Sequence, residues 1–461
     1  MSRLIQDWQP ENPEFWNSTG KKTARRNLWI SIPALMLAFS IWQVWSVAVI
    51  NLPSIGFHYT PNQLFWLAAV PALSGATFRA FYSFMVPVFG GRRWTALSTA
   101  SLLLPAIGLG IAVQSPDTSY STMLLLALLC GLGGGNFSSS MANISFFFPK
   151  AEKGTAMGLN AGLGNLGVSV AQFLVPLVIT AGVFGSFGGE PQTWVKAGVS
   201  KQIWLQNAGF VWVPFIILST LAAWFGMNDL ASAKASFKEQ AVIFKRWHNW
   251  VMCIIYLGTF GSFLGFSAGF PLLIQNEFPG INPVKYAFLG PLVGALARPV
   301  GGWVADKIKC GGIITQWVFI GMIVAIFGVL TFLPSHGGVG GSFWGFFACF
   351  MILFTLSGIG NGSTFMQIPI IFLRIHQKRA EQGLISETQA FLEAGKEGAA
   401  VAGFTGAFAA YGGFFIPKSY GTSIALTGSV NAALYAFIIF YVCCLLLNWW
   451  YYARKNAPMK C

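Results

Sequence analysis

Two arginines lie inside long apolar stretches, where a positive charge is costly. Arg79 ends a Gly-Ala-x-x-Arg motif that begins at Gly75, and Arg298 ends a second copy that begins at Gly294. An arginine near the middle of a membrane helix costs about 2.5–3.5 kcal/mol, and such residues commonly face a cavity where they meet an anion or a carboxylate. A guanidinium stays charged and offers a planar fork of donors that matches a planar oxyanion. The repeated pair therefore indicates one anion site between two halves of the chain.

No acidic side chain in the sequence is placed to neutralise these two arginines. All 14 Asp and Glu residues and all 4 His residues fall in predicted tails, loops or span ends. Two buried cations that lack a carboxylate favour an anion that visits, and a single delocalised negative charge fits two guanidinium forks best. Proton-coupled carriers use carboxylate or histidine relays inside the membrane, and we find no such relay. The alternative is that each arginine snorkels to the interface or pairs with backbone carbonyls.

The composition predicts a polytopic membrane protein whose helices position these arginines. The 461 residues are 55% hydrophobic and 9% charged, whereas a soluble domain carries about 25% charged residues. A membrane helix needs about 20 apolar residues, and strands are excluded because the apolar stretches are too long and show no alternation. This criterion predicts twelve spans, at about 27–52, 61–89, 94–114, 120–148, 155–182, 204–228, 247–275, 284–306, 312–334, 341–373, 398–418 and 427–453.

Charge outside the spans predicts the orientation of the chain. Of the 28 Lys and Arg residues, 22 fall on one predicted side and two lie within spans, which leaves four on the other side: Lys196, Lys201, Lys285 and Lys418. By the positive-inside rule, the tails 1–26 and 454–461 are both cytoplasmic. Trp8 and Trp16 are expected to anchor the first tail at the membrane interface. The net charge of +14 is thus a topology signal, and we find no nucleic-acid patch.

Internal repetition divides the chain into two six-helix halves. Besides the arginine motif, Gly133-Gly134-Gly135-Asn136 in span 4 is matched by Gly358-Ile359-Gly360-Asn361 in span 10. The motifs recur after 219 and 225 residues, as expected of one ancestral six-span unit. We therefore predict an N-terminal half at 27–228, a cytoplasmic linker at 229–246 and a C-terminal half at 247–453. Parallel repeats of this kind bind substrate near the midplane, between the halves.

Two further polar segments are expected to be loops. The segment at about 374–397 is predicted to be a cytoplasmic loop that is partly helical. The segment at about 183–203 is predicted to be a Gly-rich, polar extracellular loop, and the other extracellular loops are short.

Spans 5 and 11 are rich in glycine. The two sets of glycines are Gly158, Gly162, Gly164 and Gly167 in span 5, and Gly403, Gly406, Gly412 and Gly413 in span 11. Glycines at such spacing let helices approach closely, so packing and sliding alone are the simpler interpretation. Asn165 lies in the first set, and since a buried amide needs a partner, it is a candidate donor to a small polar solute. Four aromatic residues in spans 1, 4 and 7 are, taken alone, more typical of a core: Phe39, Phe137, Tyr256 and Phe260.

The sequence gives no sign of an enzyme. It contains no metal-ligand cluster, no nucleophile triad and no nucleotide loop, because its Gly-rich stretches carry no Lys-Ser/Thr. The 7 cysteines form no Cys-x-x-Cys pair and lie mostly in apolar stretches, as small core residues do. We therefore expect neither a metal nor a cofactor.

The loop after span 8 resembles a motif of the major facilitator superfamily. The stretch Gly302-Trp303-Val304-Ala305-Asp306-Lys307 is similar to that superfamily's cytoplasmic Gly-x-x-x-Asp-Arg/Lys motif. The equivalent loop after span 2, Gly90-Gly91-Arg92-Arg93, lacks the Asp. The resemblance implies an all-α membrane protein of the major facilitator fold, with twelve transmembrane helices in two pseudo-symmetric six-helix halves. It also implies a cytoplasmic gate motif formed by Gly302, Asp306 and Lys307.

Over nearly its whole length, the chain also resembles the bacterial nitrate/nitrite porter family of NarK type. The similar stretches are Arg26-Asn27-Leu28-Trp29-Ile30-Ser31, Tyr82-Ser83-Phe84-Met85-Val86-Pro87, Phe146-Phe147-Phe148-Pro149-Lys150, Asn228-Asp229-Leu230-Ala231 and Gly413-Phe414-Phe415-Ile416-Pro417-Lys418. The two Gly-rich spans resemble the family's signature helices. The resemblance implies that Arg79 and Arg298 bind the substrate and that Asn165 and Tyr256 add polar contacts. It implies that three aromatic rings enclose the anion: Phe39, Phe137 and Phe260.

The function that this resemblance implies is nitrate/nitrite antiport by alternating access in the bacterial inner membrane. Nitrate, nitrite and the lipid bilayer would be the partners, and a monomer would be the working unit. Two like charges in an empty site resist occlusion and an anion neutralises them in part, so obligate one-for-one exchange is favoured. Proton-coupled nitrate symport by the same fold stays open as an alternative. A nitrate-selective channel or sensor is an alternative of another class.

Overall fold

Twelve helices in the described part of the chain are long and apolar enough to cross a membrane. The computed structural model describes residues 3–196, 198–233, 241–308, 310–334 and 340–461, apart from the side chains of Lys150 and Asp306. We name the helices α1 Pro13–Ala48, α2 Pro61–Tyr82, α3 Gly91–Ala112, α4 Tyr120–Phe147, α5 Ala151–Val178, α6 Asn207–Gly226, α7 Trp247–Glu277, α8 Pro283–Ala305, α9 Gly311–Phe332, α10 Phe343–Glu381, α11 Glu387–Thr427 and α12 Asn431–Ala453. The prediction of twelve spans is confirmed.

The helices group into two compact units. The first is Met1–Lys234 with Ser267–Phe288, and the second is Ala235–Phe266 with Leu289–Cys461. Within the first unit, Gln172 Nε2 donates to the Ser267 carbonyl at 2.7 Å. The Ser169 hydroxyl donates to the Phe288 carbonyl at 3.0 Å. The end of α7 and the start of α8 therefore pack within the first unit, while the proposed linker at 229–246 stays a prediction.

The two repeated sequence motifs contact one another inside each unit. In the first unit, a Cβ built on Gly134 of α4 would lie 2.7 Å from Gly75 Cα of α2. In the second unit, a Cβ on Gly358 of α10 would overlap the carbonyl of Gly294 in α8. Missing side chains therefore let the helix that carries each arginine touch its neighbour's backbone, as close helix packing requires. The two motifs therefore form a contacting pair in each unit.

The N-terminal segment packs on the helices of the first unit, and the interfacial anchoring expected of Trp8 and Trp16 stays a prediction. The Asn12 side chain accepts the backbone N–H groups of Glu14 and Phe15 at 3.0 and 3.3 Å, so α1 begins at Pro13. Trp16 is 6% exposed, and its Nε1 donates to Glu152 at 3.0 Å. The Trp8 ring packs on Phe147 with the ring centroids 5.5 Å apart. Both tryptophans thus contact protein, because the half-buried carboxylate of Glu152 and the ring of Phe147 offer them partners.

Four short strands accompany the helices in the part of the chain that the structure describes. Strand β1 (Leu4–Ile5) pairs in parallel with β4 (Asp229–Leu230), which fastens the N-terminal segment beneath the end of α6. Strands β2 (Gln192–Lys196) and β3 (Val199–Ile203) form an antiparallel hairpin within the predicted loop at 183–203. Gly198 lies in the turn with φ +78°, a conformation that favours glycine. The sequence analysis missed this hairpin because its strands are short and mostly exposed.

The predicted loop at about 374–397 is almost entirely helical. Helix α10 continues to Glu381 and α11 begins at Glu387, after Ser386 caps it by accepting the Gln389 N–H at 3.2 Å. A charge cluster joins the two helix ends: His376 is 0% exposed, and its ring nitrogens lie 3.3 Å from carboxylate oxygens of Glu393 and Glu397. These charges do lie at span ends, as expected, and they pair with one another: His376 and Glu397 are buried, whereas Glu393 is partly exposed.

Two arginines complete this charge cluster, which we call the His376 cluster. Arg246 donates from Nε and Nη2 to the two oxygens of Glu397 at 2.9 and 2.8 Å, a bidentate pair. These hydrogen bonds raise the pKa of the Arg246 guanidinium above its ordinary value. Arg379 Nη1 donates to Glu393 at 2.8 Å. The polar composition that suggested a loop therefore comes from ion pairs that hold the ends of α10 and α11 together.

The C-terminal segment 454–461 also packs on the helices. The carbonyl oxygen of Cys461 accepts the backbone N–H of Gly312, at the start of α9, at 2.8 Å. Lys378 Nζ donates to the Pro458 carbonyl at 3.3 Å. Residues that the sequence analysis assigned to a tail thus cover the beginning of α9 and the end of α10.

Candidate functional site

Arg79 of α2 lies fully buried among aromatic rings of the first unit. Its side chain is 0% exposed, and Nε donates to the Gly134 carbonyl at 3.0 Å. The guanidinium carbon lies 4.7 Å from the ring centroid of Phe137 and 5.0 Å from that of Trp42. Ring faces at this distance attract a cation, more strongly where water is excluded. Backbone pairing, which the sequence left open, thus holds for one donor of Arg79.

Phe39 and Phe137 belong to the same aromatic group, which also contains a residue that the sequence analysis missed. The Phe39 ring lies edge-on to Phe137 at 6.1 Å and to Trp42 at 5.5 Å. Trp42 Nε1 donates to the Pro71 carbonyl of α2 at 2.6 Å, which fixes the indole beside Arg79. The available signal was its spacing, because Trp42 lies three residues after Phe39 on one helix face.

Arg298 of α8 occupies the corresponding motif of the second unit, but its surroundings differ. It is half-buried, and its Nη2 lies 3.5 Å from the Tyr256 hydroxyl. Its guanidinium carbon lies 5.9 Å from the Phe260 centroid and 5.7 Å from the Phe365 centroid. Its Nη1 is buried and has no hydrogen-bond partner among the described residues. A buried charged donor without a partner is costly, so this atom is a candidate to bind an anion.

A widened helical turn places Tyr256 and Phe260 beside Arg298. Residues Leu257–Gly261 form a π-helical turn within α7, and such turns are frequent at functional sites. The Tyr256 and Phe260 rings stack at 5.3 Å with an angle of 21° between their planes. The Tyr256 hydroxyl donates to Asn361 Oδ1 at 2.6 Å. The sequence analysis missed Phe365 and the role of Asn361, although Asn361 ends one of the repeated motifs.

Asn165 lies in α5 and keeps unsatisfied polar capacity. Its side chain is 1% exposed, and its Oδ1 is buried without a hydrogen-bond partner among the described residues. Asn160, five residues earlier, donates from Nδ2 to the Ser140 hydroxyl at 2.8 Å. No hydrogen bond among the described contacts joins Asn165 to Arg79. The structure thus groups Arg79 with Phe39 and Phe137, while contact of Asn165 with substrate stays a prediction.

The predicted signature glycines fall into two structural classes. A Cβ on Gly164 would lie 2.6 Å from Leu35 Cδ2, and one on Gly167 would overlap the Met36 carbonyl, so these two glycines pack α5 on α1. A Cβ on Gly158 or Gly162 would meet no atom within 4 Å. The close approach expected of those two glycines is therefore absent here, because their surface faces open space.

Helix α11 shows the same division. A Cβ on Gly403 would meet no atom within 4 Å, whereas one on Gly412 would overlap Gly261 of α7. Gly406 and Gly413 are buried. Each signature helix thus has glycines that pack on a neighbour in its own unit and glycines that meet nothing. Sequence spacing alone did not separate these two classes.

The predicted gate motif is only partly described. The regular α-helix within α8 runs from Leu289 to Ile308, past the end of the apolar span. Gly302 and Lys307 lie near its end, and Lys307 Nζ lies 5.0 Å from the Trp303 ring centroid. The side chain of Asp306 lies outside the described residues. A Cβ on Gly302 would approach no described atom closer than Met366 Cγ at 4.0 Å. The gating role of these three residues therefore remains a prediction.

In the first unit, an acid from elsewhere in the chain pairs with the loop that lacks the motif Asp. The carboxylate of Asp229, after α6, accepts the Arg92 backbone N–H at 2.8 Å and Arg92 Nε at 3.1 Å. Arg93 Nε lies 3.8 Å from the same carboxylate. Asp229 is 6% exposed. Sequence analysis missed this pair because the two residues are separated by 137 positions.

Comparison with known proteins places this arrangement in a family. The model of the Major Facilitator Superfamily matches residues 34–417. The nitrate/nitrite transporter NarU of Escherichia coli is 50% identical over 460 residues, covering 99% of this chain and 98% of that protein. The probable nitrate/nitrite antiporter NarK2 of Thermus thermophilus is 43% identical over 462 residues, covering 99% and 98%.

A solved structure supports the fold separately. The crystal structure of a bacterial homologue of the human lysosomal transporter Spinster aligns with a TM-score of 0.63 at 14% identity, covering 92% of this chain and 96% of that one. At such low identity the likeness shows the fold alone. It agrees with the twelve helices and with the all-α membrane architecture that the sequence predicted. The chain therefore belongs to the major facilitator superfamily and, within it, to the family of nitrate/nitrite transporters.

Proposed function

We propose that this protein exchanges nitrate for nitrite across the bacterial inner membrane by alternating access. The observation that carries the proposal is that each unit holds one arginine of the repeated motif against aromatic rings. Relatives at 50% and 43% identity are named as a nitrate/nitrite transporter and a probable nitrate/nitrite antiporter. Arg79 and Arg298 bind the same anion in this proposal, one from each unit.

The chemistry of the two arginines suits a small planar anion. Each guanidinium presents parallel N–H groups that match two oxygens of nitrate or nitrite. Rings such as Phe137 beside Arg79 and Phe260 beside Arg298 exclude water, and a lower local dielectric strengthens the attraction between charge and anion. Asn165 adds a polar contact to the anion in this proposal, Tyr256 contributes through the contact of its hydroxyl with Arg298, and Phe39 closes the aromatic wall. Selectivity then follows from shape and from a single negative charge.

Charge also explains why exchange is favoured over net uptake. An empty site holds two like charges in an apolar setting, which raises the free energy of closing it. A bound anion neutralises part of this charge, so the loaded protein changes conformation more readily than the empty one. Nitrate and nitrite each carry one negative charge, so one-for-one exchange moves no net charge and needs no proton.

Proton-coupled nitrate import is the second candidate, and the His376 cluster favours it. His376 is 0% exposed, and its imidazole, a side chain that can carry a proton, lies 3.3 Å from carboxylate oxygens of Glu393 and Glu397. Gradient-driven uptake that is lost in His376→Gln, with exchange retained, would support coupling through this residue.

Orientation and assembly complete the proposal. With 22 of 28 basic residues on one predicted side, both termini lie in the cytoplasm by the positive-inside rule. The Asp229–Arg92 pair and the motif at Gly302 then lie on the cytoplasmic side, where they act as gates. We propose a monomer as the working unit, because each chain contains both arginines.

Transport by purified protein in lipid vesicles tests the proposal. Labelled nitrate uptake is measured into vesicles that are preloaded with nitrite or left empty, with and without an inward proton gradient. We expect uptake only with internal nitrite, at a rate that the gradient does not change. Uptake into empty vesicles driven by the gradient would replace exchange by symport, and a current without saturation or trans-stimulation would indicate a channel. Nitrate binding with negligible flux would indicate a sensor.

A further inference from the structure

In the second unit, a chain of two hydrogen bonds links Arg298 to Asn361 through Tyr256. Among the described contacts, Asn361 does not touch the Arg298 guanidinium. Arg298 Nη2 donates to the Tyr256 hydroxyl at 3.5 Å, and this hydroxyl donates to Asn361 Oδ1 at 2.6 Å. Tyr256 is 1% exposed and Asn361 is 2% exposed. The shorter of the two bonds therefore lies in a buried setting, where a lost partner is costly.

The donors and acceptors that each group has determine its role in this series of hydrogen bonds. A tyrosine hydroxyl has one proton and can also accept. Since its proton is directed to Asn361, the hydroxyl presents its lone pairs to Arg298. An arginine has only donors, so this arrangement suits it, whereas a hydroxyl proton turned towards it would repel it. The side-chain oxygen of Asn361 thus orients the Tyr256 hydroxyl, so that the hydroxyl oxygen accepts from Arg298.

The backbone around Asn361 fixes its position. A Cβ on Gly362 would overlap the Arg298 carbonyl, and one on Gly360 would lie 2.6 Å from Thr259 Cγ2. The glycines on both sides of Asn361 therefore bring α10 against α8 and against the widened turn of α7. Asn361 is held between the helices that carry Arg298 and Tyr256, and a rigid backbone limits its freedom to turn elsewhere.

The corresponding asparagine in the first unit has a different partner. Asn136 ends the equivalent motif, and its Nδ2 donates to the Ser98 carbonyl at 3.5 Å. Ser98 lies on α3 and is not one of the residues that form the aromatic group of Arg79. The repeat alone therefore does not account for the contact between Asn361 and Tyr256.

We propose that Asn361 is a positioning residue for the anion site, acting on Arg298 through the Tyr256 hydroxyl. It sets the hydroxyl as an acceptor for Nη2, which steadies the guanidinium and leaves its buried Nη1 to meet the anion. This inference rests on the proposed function, since it assumes that Arg298 binds nitrate and nitrite. It adds a residue outside direct contact with the substrate to those that determine affinity.

A double-mutant cycle in lipid vesicles tests this inference. The variants are Asn361→Ala, Tyr256→Phe and the double variant, and the measurement is the apparent KM and kcat of nitrate/nitrite exchange. Loss of one hydrogen bond corresponds to a change of about 2- to 10-fold. We expect each single variant to raise KM by that factor, and the double variant to raise it no further, because both changes break the same chain.

A matched control and a second variant keep the result interpretable. Asn136→Ala removes the equivalent amide of the first unit, and its effect should multiply with that of Tyr256→Phe. If Asn361→Ala does not fold, Asn361→Ser takes its place in the cycle, with folding checked by gel filtration. Multiplying effects of Asn361 and Tyr256 would overturn the inference while leaving nitrate exchange intact. Absence of exchange and of nitrate-induced thermal stabilisation in the unmodified protein would instead overturn the proposed function.

Discussion

The division of the signature glycines into packed and open positions leads to a paired prediction. Gly162 and Gly167 lie in the same helix, α5, but a Cβ would meet no atom within 4 Å at Gly162 and would overlap the Met36 carbonyl at Gly167. The substitutions Gly162→Ala and Gly167→Ala add the same methyl group to these two settings. The pair therefore distinguishes two reasons for a glycine: Gly167 is required by the packing in this conformation, whereas Gly162 would be required only by the packing in another conformation.

The expected stabilities of the two variants differ in sign. Alanine is favoured over glycine inside a helix by about 0.5–1 kcal/mol, so Gly162→Ala should raise the unfolding temperature slightly. The methyl group of Gly167→Ala meets backbone, which cannot rotate away, and overpacking of this kind costs about 1–3 kcal/mol. The unfolding temperature of this variant should fall. Thermal unfolding of both purified variants, compared with the unmodified protein, measures the difference.

For Gly162→Ala, the exchange rate should fall although the unfolding temperature rises. If alternating access brings another helix against the open face of α5, the added methyl group destabilises that conformation by a similar 1–3 kcal/mol, at about tenfold in population for each 1.4 kcal/mol. Exchange should then fall by about 5- to 150-fold although the protein is more stable. Exchange at the unmodified rate in Gly162→Ala would refute the idea that this open surface is used during transport.

The remaining predictions concern single side chains. Arg79→Lys should lose most exchange although it keeps the charge, because an ammonium cannot reproduce the guanidinium fork; unimpaired exchange would exclude bidentate binding. Asn165→Ala should weaken nitrate binding by about 1–3 kcal/mol, measured by calorimetry, and unchanged affinity would assign Asn165 to packing. Asp229→Asn should lower the unfolding temperature, because a charged acceptor for Arg92 is lost; an unchanged value would mean that this partly buried ion pair contributes little.

The helices and the two arginines could be predicted because their signals are local. Apolar length places the spans, and a guanidinium in such a stretch is conspicuous by its cost. Partners that lie far apart in sequence could not be predicted. Asp229 reaches Arg92 across 137 positions, and neither residue carries a local mark of that contact. Trp42 was missed for another reason, since an aromatic residue in a membrane helix is ordinary until its neighbour is known to be an arginine.

A polar segment does not indicate an exposed loop where its polar side chains pair with one another. Its charged composition predicts that the segment 374–397 is a loop that is partly helical, yet Glu393 and Glu397 have partners at His376, Arg379 and Arg246, and the segment is almost entirely helical. Composition reports how many charges a segment has, but not whether they pair. Likewise, glycine spacing indicates where helices can approach, whereas the approach itself depends on which conformation is present, as Gly162 and Gly167 demonstrate.

The repeat fixes where the two arginines lie but not how each is held, and the difference has a functional consequence. Arg79 is fully buried and bound to a backbone carbonyl, which does not move independently of its helix. Arg298 is half-buried and donates to the Tyr256 hydroxyl. This hydroxyl belongs to a side chain, which can move when its hydrogen bond to Asn361 breaks. A guanidinium held by backbone is preorganised, whereas one held by a hydroxyl adapts to its ligand. Under the proposed function, planar nitrate with three oxygens and bent nitrite with two can both be bound, because the fork of Arg79 is rigid and that of Arg298 adjusts.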